Sequence, residues 1–123
     1  MKQVSAGHIE NVWGLATDGH VYKYDVTTQT WNEPNPAARL NQISAMADDG
    51  AWGIGANKRV FVSIDGASWA EPNQFAGLNQ ISASNDTYAW GIGDNNRVFE
   101  TKNRGADWSE PNLKAGLKHV SVQ

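Results

Sequence analysis

The chain is predicted to be all-β: a β-propeller assembled from blades of four antiparallel strands, three blades per chain. Three observations predict this. The sequence repeats itself at an interval of about 38 residues. Six Trp and twelve Gly stand beside two Met and no Cys, a mix suited to short strands and tight turns rather than helices. No segment carries apolar residues at helical spacing over about ten positions.

The repeat comes first, because a fixed period defines the architecture. Val4-Ser5 returns as Ile43-Ser44, Ile81-Ser82 and Val120-Ser121. Trp13-Gly14 returns as Trp52-Gly53 and Trp90-Gly91, and Val21-Tyr22 as Val60-Phe61 and Val98-Phe99. Trp31-Asn32-Glu33-Pro34-Asn35 returns as Trp69-Ala70-Glu71-Pro72-Asn73 and Trp108-Ser109-Glu110-Pro111-Asn112. The chain divides as one repeat domain, residues 1–123, with repeats 1–38, 39–76 and 77–115 and an extra copy of the first strand in 116–123. The second and third copies are the most alike, as a recent duplication or deliberate design leaves them.

Each copy reads as four short strands. Leu40–Ala45 is the first of the second copy, Ala51–Gly55 the second and Arg59–Ser63 the third; the fourth opens at Trp69 and stops at Pro72, which has no ladder donor. The turns between second and third strands, Thr17–His20, Ala56–Arg59 and Asp94–Arg97, carry Asp-Gly, Asn-Lys and Asn-Asn, pairs that tolerate positive φ. The second-strand Trp is expected in the core between blades. The alternative is a β-prism or trefoil, which would need a three-fold repeat to close within one chain.

Propellers close with four to eight blades, and three blades leave two sheet faces open. Two chains supply six, so the expected assembly is a homodimer forming one six-bladed ring. The surplus first-strand copy has no place of its own in that ring.

Composition narrows the partners. A net charge of −3, with four Arg and six Lys scattered along the chain, provides no basic stripe to displace counterions from nucleic acid. No apolar run is long enough to span a bilayer. Without Cys there is no disulfide framework or thiolate metal site. His8, His20 and His119 are not spaced as metal ligands, and no cofactor is expected. No basic-then-apolar leader is present, so the expected location is cytoplasmic, with secretion left open.

The pattern Met1-Lys2-Gln3-Val4-Ser5, Asn11-Val12-Trp13-Gly14, Gly19-His20-Val21-Tyr22 and Trp31 resembles the tectonin repeat along the whole chain, with Lys58 and Asn96 replacing the turn Gly in later copies. The resemblance implies a six-bladed propeller lectin that recognises microbial or O-methylated glycans; full-length members carry six blades in one chain. Thr101–Trp108 also resembles the Asp-box of sialidases, and Ser63–Trp69 is a relative one residue shorter. That motif is a hairpin turn capped by a short Asp or Asn, and it carries no hydrolytic chemistry.

Alternating strands bring the second-to-third turn and the exit from the fourth strand to one rim. Candidate ligand residues are therefore Trp31, Glu33, Asn35, His20, Arg59, Trp69, Glu71, Asn73, Arg97, Trp108, Glu110 and Asn112. An aromatic face suits the C–H side of a sugar, and carboxylate, amide and guanidinium groups suit its hydroxyls. Each has a structural reading as well: the Trp as blade packing, the Pro as strand terminators, Glu bonding backbone amides of the next blade, and Arg pairing with Glu across blades. A glycosidase needs two carboxylates set apart by their surroundings, whereas here carboxylates repeat with the blades or sit in turns, so no enzyme activity is expected. The function expected is multivalent glycan binding. The alternative is a structural or designed self-assembling scaffold with no ligand of its own.

Overall fold

The computed structural model describes residues 1–111 and is all-β. The surplus first-strand copy and Asn112 lie outside the described residues. Blade 1 is a four-stranded sheet of β1 (Gln3–His8), β2 (Asn11–Leu15), β3 (Val21–Asp25) and β4 (Thr30–Asn32) in sequential antiparallel order. Blade 2 comprises β5 (Gln42–Ala45), β6 (Ala51–Ile54) and β7 (Val60–Ser63), and blade 3 comprises β8 (Gln80–Ala83), β9 (Ala89–Ile92) and β10 (Val98–Thr101).

The fourth strand is complete only in blade 1. In blades 2 and 3 it shrinks to one doubly hydrogen-bonded pair, Val62 with Ala70 and Glu100 with Ser109, at 2.8–2.9 Å. The cause is the Asp-box turn. Asp65 Oδ1 accepts from the amides of Ala67 and Ser68, and Ser63 Oγ from that of Gly66. These bonds hold the chain in a broad turn that rejoins the sheet just before Pro72. Blade 1 has no such motif, and its β3–β4 ladder runs on to Asp25–Thr30.

The second-strand turns follow the sequence expectation: Asn57, Lys58, Asn95 and Asn96 all have φ near +60°, and Gly19 has φ +90°. Left-handed backbone at two successive positions is what Asn-rich pairs tolerate in a tight hairpin.

The blades fan out from their first strands. β1 packs beside β5 and β5 beside β8, joined by side chains that imitate a strand. The Gln3 side-chain amide donates to the Ile43 carbonyl and accepts from the Ile43 amide, both at 2.9 Å. Gln42 does the same with Ile81, at 2.9 and 2.8 Å. The amides of Ala45 and Ala83 donate to Ser5 and Ser44 Oγ. An edge strand presents backbone groups that need partners, and the repeated Gln-x-Ser supplies them; just past it the Ala47 amide of blade 2 also donates to the Ser84 carbonyl of blade 3 at 2.9 Å.

Away from this seam the blades meet through tryptophan. Trp13 and Trp52 are fully buried, whereas Trp90, expected in the core with them, is half-buried, with no further blade beyond it among the described residues. Trp69 of blade 2 packs edge-on against Trp13, and Trp108 of blade 3 against Trp52, each with ring centroids 6.1 Å apart. The Gly after Trp52 and that after Trp90 have a definite use, since a Cβ on Gly53 or Gly91 would run into Leu40 or Leu78. Gly66 and Gly105 of the Asp-box turns lie against the same core rings: a Cβ would come within 2.6 Å of Trp13 and 3.0 Å of Trp52, at φ +79° and +86°. Each core Trp is thus clasped by a ring and a bare backbone turn of the following blade.

Candidate ligand-binding clefts between blades

The exit from the fourth strand runs along the rim that bears the second-to-third turn, as expected. The Leu40 amide donates to the Gly19 carbonyl and that of Leu78 to the Lys58 carbonyl. This geometry brings Glu33, Glu71 and Glu110 against His20, Arg59 and Arg97. Arg59 Nε and Nη2 donate to the two Glu71 carboxylate oxygens at 2.7 and 2.5 Å. Arg97 grips Glu110 likewise, at 2.9 and 2.6 Å, and His20 Nδ1 pairs with Glu33 Oε2.

Each of these pairs lies within one blade, which corrects the expectation of Arg–Glu pairing across blades. The short reach from the residue just before the third strand to its own blade's exit sets the partner. An ion pair that does cross blades joins Lys58 to Asp94, two successive rim turns. The carboxylates of Glu71 and Glu110 are held below the usual carboxylate range by the guanidinium hydrogen bonds and charge, against a smaller opposing effect of desolvation. The Arg stay half exposed and stack on their own strands, Arg59 over Phe61 at 5.8 Å and Arg97 over Phe99 at 5.5 Å. His20 takes the same place on Tyr22 in blade 1.

Asn, rather than Glu, reaches the next blade. Asn35 Nδ2 donates to the Ala67 carbonyl and Asn73 Nδ2 to the Ala106 carbonyl, each at 3.0 Å. The Oδ1 atoms cap the linker by accepting from the amides of Ala37 and Phe75. Of the fourth-strand tryptophans, Trp69 and Trp108 are half-buried blade-packing rings. Trp31 has no preceding blade among the described residues; it is 38% exposed and packs edge-on against Tyr24.

These placements leave an open cleft of about 280 Å³ between blades 1 and 2, near the lower end of the size range of small-ligand sites. The linker residues Asn35 and Ala37–Leu40 form one wall, and Phe61 and Trp69 the other. Of the sequence candidates, Asn35 and Trp69 line it, and Arg59 and Glu71 stand beside it through the stacking on Phe61. The sequence reading overlooked Phe61 and the linker. An available signal was that Phe61 and Phe99 each follow Arg-Val in the same frame.

Three sheets that fan from a common seam and meet face to face through tryptophan define an arc of a β-propeller. The chain belongs to the tectonin family: the tectonin domain model matches residues 1–123. Among solved structures, one described as YCF48 bound to D1 peptide is similar at a TM-score of 0.67 and 14% identity, covering 90% of this chain. That likeness shows the propeller fold alone, and this chain spans 39% of the length of that one. No curated protein sequence matches the chain.

Proposed function

We propose that this protein binds carbohydrate in the clefts between neighbouring blades, with a second copy completing the ring. The observation that carries the reading is the cleft beside Phe61 and Trp69. It has two aromatic rings on one side, and beside it the bidentate Arg59–Glu71 pair, whose guanidinium stays half exposed. A pyranose offers the matching surface, one C–H face to be buried and vicinal hydroxyls to accept from guanidinium and donate to carboxylate. Two such clefts per chain, doubled by a partner, suit weak sugars captured several at a time.

Completion by a second copy is supported by the outer face of blade 1. Val4 is 57% exposed, although Ile43 and Ile81 at the same position are buried by the preceding blade. The second reading, a propeller that holds proteins, has the peptide named with the YCF48 structure in its favour.

Binding of labelled protein to an array of neutral, methylated and acidic glycans, repeated with Glu71→Ala, tests the proposal. Glycan binding that weakens in the variant is expected, with the melting temperature falling by no more than the small contribution of one half-solvated ion pair. No binding across the array favours the protein-holding reading. Light scattering at micromolar concentration checks the ring, and a stable monomer removes the second copy from it.

A further inference from the structure

The two inter-blade clefts share a backbone and differ in their lining. From Asn35 to Leu40 and from Asn73 to Leu78 the linkers repeat bond for bond. Each Asn Nδ2 reaches the next Asp-box turn at 3.0 Å, each Oδ1 accepts from the amide two residues on at 3.0 and 2.9 Å, and each Asn carbonyl accepts from Ala38 or Ala76 at 3.1 Å. Position 75 therefore stands over the cleft between blades 2 and 3 as position 37 stands over that between blades 1 and 2. Ala37 lines the first cleft, and Phe75 is its counterpart in the second linker.

The neighbouring substitution runs in the same sense. Arg39 in the first linker donates through Nη1 to the Pro36 and Ala38 carbonyls at 2.7 and 2.8 Å, laying its side chain along the wall. Gly77 in the second linker has no side chain there. The second linker thus has no guanidinium, has Lys58 beside Gly77, and carries an aromatic ring where the first has Ala37, in the blade interface to which Phe99 and Trp108 belong.

Phe75 is 89% exposed, the most exposed of the large apolar side chains in the described chain. Its only hydrogen-bonding groups are those of its backbone, the amide being tied to Asn73, so the ring can contribute binding only by burying apolar surface. We infer that the cleft between blades 2 and 3 is the tighter of the chain's two sugar sites, and that Phe75 is its specificity-determining residue, the platform for the C–H face of a neutral pyranose. The inference rests on the carbohydrate reading above.

The test uses the full chain and a panel of methyl glycosides of glucose, galactose, mannose, fucose and N-acetylglucosamine, with titration calorimetry on the best binder. Two classes of site are expected. Phe75→Ala weakens the tighter class at least tenfold and leaves the melting temperature and solution mass unchanged. Ala37→Phe combined with Arg39→Gly raises the weaker class toward the tighter one. Binding by the unaltered chain that Phe75→Ala leaves intact, or weakens equally at both classes, overturns this inference alone. A fall in solution mass in Phe75→Ala also overturns it, by making the ring a self-association contact. No binding of any glycoside by the unaltered chain overturns it together with the carbohydrate reading.

Discussion

Blade 1 and blade 2 share one strand plan and solve the third-to-fourth connection differently. Blade 2 has an Asp-box turn with Gly66 against Trp13, and its fourth-strand Trp69 lies on the same ring. Blade 1 has a regular hairpin through Val26–Gln29, with Gln29 at φ +58°, and its Trp31 turns inward over its own Gly14. The other end of the arc shows a related adjustment. Trp52 Nε1 donates to the Asn85 carbonyl of the following blade, whereas Trp90 Nε1 donates to Tyr88 Oη of its own blade. Local aromatic partners stand where a neighbouring blade would otherwise supply contacts. In repeat proteins each unit is stabilised chiefly by its neighbours, and terminal units are atypical for that reason. The Asp-box glycine and the fourth-strand Trp are therefore interface parts, built where another blade precedes their own.

The largest separation between the two blades is expected from their tryptophans. Trp69→Ala removes the ring on Trp13 and opens a cavity at the blade interface, so it should cost about 3 kcal/mol, the lower bound for burying-ring truncations because Trp69 is only half-buried. Trp31→Ala should cost about 1 kcal/mol, since a partly solvated ring loses much less apolar burial. Chemical denaturation of both variants checks this. Equal losses would mean that Trp31 already sits in a complete interface in solution, which would sharpen the case for a partner on blade 1.

A smaller effect is expected at the seam. Gln42→Ala leaves the amide and carbonyl of Ile81 without their two partners, and unsatisfied buried groups cost about 1–3 kcal/mol. Gln42→Glu should be worse at neutral pH than in acid, because an ionised carboxylate would face the Ile81 carbonyl, and protonation restores a donor. Melting curves of the two variants at neutral and acidic pH decide it. A Gln42→Glu chain as stable as the parent at neutral pH would show that the blades do not depend on this stitch.

That seam also marks how far the sequence could be read. The strands, the turns with positive φ, the core Trp13 and Trp52, and the rim shared by Glu71 and Arg59 all follow from local patterns: a period, an Asn-rich dipeptide, a strand direction. The partners of Gln3, Gln42, Asn35 and Asn73 do not, because each reaches a backbone group 32 to 40 residues away. Only the angle between neighbouring sheets decides that contact. A repeated Gln-x-Ser on one strand face was visible without showing which backbone it meets. The Asp-box was legible as a turn, while the reason for its glycine depends on a ring in another blade. Likewise Glu71 and Arg59 were both marked as rim residues, but only the three-dimensional path of one blade makes them partners.

The smallest effect separates the blades by charge. Guanidinium–carboxylate pairs occur in blades 2 and 3, whereas blade 1 has His20 at that place. The folded-state values of Glu71 and Glu110 are depressed, first by the hydrogen bonds from Arg59 and Arg97. A depressed carboxylate binds fewer protons folded than unfolded, so its stabilising contribution is complete above the unfolded value of about 4.3 and is lost as pH falls through the folded value. Asp65 acts in the same direction through the amides of Ser68 and Ala67 that cap it. The melting temperature should therefore fall in acid, and Glu71→Gln combined with Glu110→Gln should reduce that fall. The gap between parent and variant should narrow as pH drops below about 4, and also with added salt, because half the pair is solvated and screened. A gap that stays constant down to the lowest pH would mean that the glutamates contribute through shape and neutral hydrogen bonding, and the difference between Arg59 and His20 would then carry no electrostatic consequence for the fold.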